Sequence, residues 1–360
     1  MEFYAAAELE HEPEDVQPVL TLMNGRCEID LREDALLGHG SFSVVRKAQL
    51  DGHRSCAVKS YHSLTSDGFE DEDAYDQFQA EVNMLSRFDN AAPIVCLLAH
   101  ASEELGGGLH LVLELGERTL EEHILQQHNG ALSVRDVREI GLQLTAALAH
   151  LEWFDLVALD FKPSNVMAFA STAHTSTALR WKLIDADSFL AVGTLVNAEE
   201  ASVTPLYCPP ELAAVYCVAQ HVRLPACSHC WNLGLVLLET LTGQAAFASK
   251  YQLLREADGE DNDGIVTSYF EWLAPPASEA HELLEVAIDA ARPPRDLRAL
   301  LATLLATDWS RRSSASEAMV HAFFPPPASP LAAAALHVLN RCCVSHGHGS
   351  FVSCMAIRPR

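Results

Sequence analysis

The sequence predicts an α+β fold, a small strand-rich lobe over residues 31–115 followed by a large helical lobe over residues 116–325. Three observations carry this reading. Up to Leu115, short apolar runs with β-branched residues alternate with turn-formers, as strands and hairpins do. Beyond Leu115, apolar residues recur at helical spacing over long stretches. No internal repeat is present, so the two patterns follow one another once along the chain.

Residues 1–30 are acidic, contain two prolines and read as a loosely ordered extension. Next come "SVVRKAQL" and "SCAVKSY", joined by the turn-forming "DGH", and later "HLVLEL"; all three read as strands. One helix is expected among them, over Ala74–Arg87, because Phe78, Val82 and Leu85 share one face. The acidic "SDGFEDEDAYD" before it reads as a solvated loop. Ser133, three residues before Asp136, marks a helix start, and Val137, Ile140, Leu144, Leu148 and Leu151 carry that helix to about Trp153. Pro163 then excludes a regular helix through Asn165. Further on, "CWNLGLVLLETLTG" reads as a buried helix stopped by Gly243, with later helices over Asp296–Thr307 and Ser314–Ala322. Residues 326–360 read as a Pro/Ala-rich tail.

Composition narrows the function classes. The 360 residues are enough for a sizeable core, and 49% hydrophobic with 20% charged residues is ordinary for a soluble protein. A formal net charge of −25 argues against nucleic acid or an anionic membrane as the main partner, since both repel such a surface. The ten cysteines fit no spaced disulfide framework, and the acidic start lacks the basic-then-apolar order of a signal peptide. No apolar run reaches the length of a membrane span. The expectation is a reducing intracellular compartment, the cytoplasm.

Several residues invite chemistry. In "LLGHGSFSVVRKA", Gly38 and Gly40 lie between two strand-like runs, where glycines let a backbone turn closely against phosphate oxygens; a plain hairpin turn is the other reading. Strand alternation puts Lys59 on one face with Ala57. Glu81 on the following helix is its candidate partner. Asp185 stands at the end of the apolar run in "KLIDADSF", a suitable place to hold Mg²⁺, and Asn165 offers a second oxygen. The stretch "LDFKPSNV" packs Asp160, Lys162 and Asn165 around Pro163. "SVTPLYCPPEL" is proline-rich and ends at Glu211–Leu212.

The order of these pieces resembles the eukaryotic protein-kinase family, serine/threonine type: glycine loop, strand lysine, helix glutamate, long helix, D-x-K-P-x-N, strand-end aspartate and T-P-x-Y-x-x-P-E. The resemblance runs from Leu36 to Phe324 and includes the late "DWSRRSSASEAMVHAFF". It implies a bilobal kinase-like fold, ATP and Mg²⁺ as cofactors and a protein substrate. It also implies roles. Leu37, Gly38, Gly40 and Val45 would cover the nucleotide, with Ala57 and Leu113 near the adenine. Lys59, paired with Glu81, would grip the α- and β-phosphates. Asp160 would accept the proton of the attacking hydroxyl, Lys162 would neutralise γ-phosphate charge, and Asn165 and Asp185 would hold Mg²⁺. Glu211 would pair with Arg312.

The chain also departs from the family's pattern. Ala158 and Leu159 replace the usual His-Arg, Ala186-Asp187 replace Phe-Gly, and His229 replaces the aspartate two residues before Trp231. An insertion, "ASTAHTSTALR", separates Asn165 from Asp185. These changes touch scaffolding and not the groups that would meet ATP, so a nucleotide-binding pseudokinase acting as a scaffold is the alternative. Two Cys/His clusters offer zinc ligands, Cys217, His221, Cys227, His229 and Cys230, and in the tail Cys342, Cys343, His346, His348 and Cys354. Neither has a standard finger spacing, and cysteines often serve as small buried residues.

Overall fold

A computed structural model describes residues 19–22, 25–40, 43–61, 72–90, 92–102, 108–127, 130–170, 179–197, 203–218, 221–258 and 262–325. The chain separates into two compact units, Met1–Val82 with Leu97–Leu115, and Asn83–Cys96 with Gly116–Arg360. The tail and its Cys/His cluster, the first 18 residues, most of the insertion and Ser202 lie outside the described residues.

The first unit is an antiparallel sheet. Its strands are β1 (Val19–Leu22), β2 (Gly25–Ile29), β3 (Leu36–His39), β4 (Ser43–Leu50), β5 (Arg54–Tyr61), β6 (Leu97–Ala101) and β7 (His110–Glu114). The main path runs β1-β2-β4-β5-β7-β6, with β3 pairing β4. Val19–Leu22 and Gly25–Ile29, expected to be part of a loose extension, are a correction: they are two paired strands. Cys27 and Ile29 register against Leu50 and Ala48 of β4, and Leu20, Leu22, Cys27 and Ile29 are buried with Ala48, Cys56, Val58 and Val112. Apolar burial outweighs the local acidity. The other face of β5 carries Ala57, Lys59 and Tyr61, also buried.

Helix α1 (Glu72–Leu85) begins inside the acidic stretch read as a loop, so part of that stretch is helical. Its buried face is the one expected, with Phe78, Val82 and Leu85, and Ala74 joins it.

The second unit is mainly helical. After β8 (Arg118–Thr119) and α2 (Leu120–Leu125) comes α3 (Val134–Trp153). The Ser133 hydroxyl accepts from the Asp136 N–H, as the sequence predicts, and Val137 to Leu151 bury the apolar face. Strands β9 (Leu156–Ala158), β10 (Val166–Phe169), β11 (Arg180–Leu183), β12 (Phe189–Ala191) and β13 (Leu195–Val196) follow as short pairs. β10 pairs β11 and β8, and β12 pairs β9. Helix α4 (Pro210–Val218) leads to β14 (Val222–Arg223), which pairs β13.

Helix α5 (Ser228–Thr242) is the buried axis of this unit; Trp231, Leu233, Val236 and Leu238 have no accessible surface. It stops where the sequence predicts, at Gly243, which lies at φ 76° and donates its N–H to the Glu239 carbonyl. A Cβ there would stand 2.1 Å from the Gly130 carbonyl oxygen, so close backbone approach demands glycine as well. The remaining helices are α6 (Ala248–Asp258), α7 (Asn262–Leu273), α8 (Ser278–Ala291), α9 (Arg295–Leu304) and α10 (Ala315–Ala318). Ser314 and Glu317 form a capping box at the start of α10. Among the described residues no helix is long and apolar enough to cross a membrane.

Candidate functional site

The residues singled out from the sequence fall into two sets, one in each unit. In the first unit, β3 and β4 form the hairpin that carries the glycines. Gly38 registers against Val45, with an irregularity between Leu36 and Gly38 that leaves Leu37 44% exposed. The Gly40 N–H donates to the Ser43 carbonyl at 2.7 Å, closing the turn; Ser41 and Phe42 at its tip lie outside the described residues. Val45 registers against Lys59 on β5, and Ala57 against Leu113 on β7, so these four residues mark one connected stretch of sheet.

Lys59 is 8% exposed and Glu81 1% exposed, and the Lys59 ammonium donates to Glu81 Oε2 at 2.7 Å. Burying a lone charge is costly, and this direct bond between two opposite charges offsets the cost of burying each. A third residue joins them. The Tyr61 hydroxyl donates to the same Glu81 oxygen in a short contact, and the Lys59 ammonium lies 5.4 Å from the Tyr61 ring centre. The sequence reading missed Tyr61, although its place two residues after Lys59 puts it on the same strand face.

In the second unit, β9 runs into the 160–165 loop, and a 3₁₀ turn over Pro163–Asn165 starts where proline supplies the right φ. Four sequence-predicted groups meet here. Asp160 Oδ2 accepts from the Lys162 ammonium at 2.6 Å, and Asn165 Nδ2 lies 3.3 Å from Asp160 Oδ2 and 3.4 Å from Asp185 Oδ2. The Asn165 amide also donates to the Asp160 carbonyl at 2.9 Å, which fixes the loop on itself. Thr204 completes the group. Its hydroxyl donates to Asp160 Oδ1 at 2.7 Å, its N–H donates there at 3.1 Å, and its Oγ1 accepts from Lys162 at 2.6 Å. These are charge-assisted bonds in a half-buried place, where they hold geometry better than in open water.

Asp185 sits just past β11 with φ 70° and ψ 65°, a left-handed conformation that costs a non-glycine residue about 1–3 kcal/mol. It is held by its neighbours. The Ile184 N–H donates to the Asn165 carbonyl at 3.0 Å, and the Ser188 hydroxyl donates to the Asp185 carbonyl at 3.1 Å. Ala186, where the resemblance leads one to expect phenylalanine, is buried with a much smaller side chain, and Asp187 is exposed.

Glu211 and Arg312 pair as expected. Two parallel bonds of 2.7 and 2.9 Å join them, Ser228 donates to Glu211 at 3.0 Å, and the guanidinium lies 5.4 Å from the Trp231 ring centre. Burial works against the Arg312 charge, but the adjacent Glu211 carboxylate prevails and holds its pKa above the ordinary value.

The first Cys/His cluster does not assemble as a set. The Cys217 thiol donates to the Ala213 carbonyl and the Cys227 thiol to the Trp309 carbonyl, at 3.2 and 3.3 Å. His229 and Cys230 instead approach Glu152, and these three are the metal-capable group among the described residues. Both oxygens of Glu152 are already engaged, Oε1 by the Ala315 N–H at 2.6 Å, and Oε2 by the Ser316 N–H at 3.0 Å and hydroxyl at 2.8 Å. The Cys230 thiol lies 3.9 Å from the same Glu152 Oε1. The group reads as a structural junction.

Comparison with known proteins places these two sets in context. Residues 31–324 match the protein kinase domain family. The serine/threonine-protein kinase mph1 of Schizosaccharomyces pombe is 24% identical over 323 residues, which cover 87% of this chain and 45% of that protein. The human serine/threonine-protein kinase Kist is 27% identical over 227 residues, 61% of this chain and 48% of its own length. The serine/threonine-protein kinase/endoribonuclease ireA of Aspergillus fumigatus is 25% identical, over 88% of this chain and 30% of that protein. The chain thus spans less than half the length of each of these relatives. With a family match over most of its length, a strand-rich unit holding a buried lysine–glutamate pair and a helical unit holding the Asp160 group, this chain belongs to the protein kinase family.

Proposed function

We propose that this chain is an ATP-dependent protein kinase that phosphorylates serine or threonine hydroxyls of protein substrates. The observation that carries the reading is the Asp160 group, with Lys162, Thr204, Asn165 and Asp185 gathered around one carboxylate. Asp160 would take the proton of the attacking hydroxyl. The Thr204 hydroxyl rests against it at 2.7 Å, within the reach that proton transfer to a positioned base needs, so a hydroxyl fits there. Lys162 would stabilise negative charge developing on the transferred phosphoryl group. In the other unit, Lys59, oriented by Glu81 and Tyr61, would bind the α- and β-phosphates, and the Leu37–Val45 hairpin with Ala57 and Leu113 would hold the nucleotide.

The donor set fits Mg²⁺. Asn165 and Asp185 offer an amide oxygen and a carboxylate, and this ion takes one or two protein oxygens along with phosphates and water. Bound with the nucleotide, the ion supplies neutralising charge at the phosphate oxygens. Serine/threonine preference is supported by Lys162 and Thr204 and by the names of the relatives.

A second reading, a nucleotide-binding pseudokinase serving as a scaffold, is favoured by Ala186, which leaves a small side chain where the family packs phenylalanine. Phosphoryl transfer from labelled ATP to a peptide library separates the two. Transfer by the wild-type chain and its loss in D160N supports the enzyme. Mg-ATP binding without transfer supports the scaffold, and absence of both sinks each reading.

A further inference from the structure

His229 stands where the family has an aspartate that holds the backbone of the catalytic loop, and the exchange reads at first as a loss. The geometry says otherwise. His229 is the second residue of α5 and has no accessible surface. Its Nδ1 accepts from the Ala158 N–H at 3.4 Å, two residues before Asp160. With Nδ1 accepting, the neutral ring carries its proton on Nε2. That nitrogen lies 3.5 Å from Glu152 Oε1, at the C-terminal end of α3.

Glu152 is itself held by the start of α10, through the Ala315 and Ser316 N–H groups and the Ser316 hydroxyl. Burial pushes its carboxyl upward, but these bonds and His229 prevail and keep its pKa below the ordinary value, so it is a fixed acceptor for the imidazole. One turn further along α5, Asn232 Nδ2 donates to the Phe161 carbonyl at 3.1 Å. Helix α5 therefore grips the backbone on both sides of Asp160, at Ala158 through His229 and at Phe161 through Asn232.

We propose that His229, oriented by Glu152, is a positioning residue for Asp160, and that the pair replaces the aspartate of the family as the anchor of the catalytic loop. The proposal rests on reading Asp160 as the catalytic base, and it goes further by assigning a new pair of residues to the loop's support. Asparagine carries its polar atoms near the place of Nδ1, and glutamine near the place of Nε2. H229N should therefore keep the Ala158 bond, while H229Q should keep the Glu152 contact and leave the Ala158 N–H unpaired.

The test is residue-resolved hydrogen exchange at the Ala158 amide in the full chain, with thermal unfolding of each variant as the check on folding. H229N is expected to exchange within about threefold of wild type, and H229Q about tenfold or more faster, the scale of one lost buried bond. Phosphoryl transfer should follow, with kcat reduced in H229Q and recovered in H229N while KM for ATP stays constant. Equal exchange at Ala158 in the two variants overturns the anchor. If the wild-type chain transfers no phosphate, the catalytic reading fails while the exchange data still decide whether His229 holds the loop.

Discussion

Asp160 and Asp185 lie within reach of the same Asn165 amide, yet removing their charges should have different consequences. If Asp160 is the proposed base, which acts only as the hydroxyl attacks, D160N should lower turnover about 10²–10⁴-fold with ATP affinity nearly unchanged. D185A removes an oxygen that would hold Mg²⁺ in the ground state, so Mg-ATP binding itself should weaken. Calorimetric titration with Mg-ATP beside a turnover assay checks both, and equal binding loss in the two variants would contradict the division of roles. At this scale the sequence was informative where residue type and local spacing suffice. Lys59 and Glu81 were paired from a strand position and a helix position, and they meet at 2.7 Å. Glu152 and His229 were not paired, because 77 positions separate them and nothing local marks either one. His229 was legible only as a missing aspartate, since the contact that replaces it is tertiary.

Helices were the readiest elements to derive. The α3 face follows from the 3.6-residue period and its start from the Ser133 cap, and both depend only on neighbours along the chain. The end of α5 at Gly243 is of the same kind, and its strength can be measured. G243A should lose about 1–3 kcal/mol from the left-handed backbone alone. The Gly130 carbonyl, 2.1 Å from the added Cβ, should raise that cost further. Urea unfolding reads the difference, and a change below about 0.5 kcal/mol would show that α5 is not capped this way. Strands β1 and β2 were not legible. Each is short and follows an acidic, proline-containing stretch, and what stabilises them is burial against β4, whose register no local pattern encodes. Helix α1 likewise starts inside an acidic stretch, at Glu72, because acidic residues suit a helix N-terminus as well as a solvated loop.

For the molecule as a whole, the segment after Asp185 bears on how the proposed activity would be controlled. An arginine before the proposed catalytic aspartate, Asp160, would meet a phosphate on this segment, but Leu159 is apolar and 4% exposed. The segment is tied by backbone instead, through the β12–β9 and β13–β14 pairs and the bond from the Gly193 N–H to the Leu224 carbonyl. Complete dephosphorylation should therefore leave the turnover rate within about twofold, and a large fall that is reproduced by alanine at Ser188, Thr194 and Ser202 would contradict this. The strands ahead of the family match carry a practical consequence as well. The match begins at residue 31, whereas Leu20, Leu22, Cys27 and Ile29 cover Ala48, Cys56 and Val58. A fragment cut at residue 31 would be trimmed through its own core, each lost Leu or Ile forfeiting about 1.5–3 kcal/mol of burial. Cys56, with no accessible surface in the full chain, is a built-in reporter: a thiol reagent should label it rapidly in a fragment starting at residue 31 and slowly in one starting at residue 19.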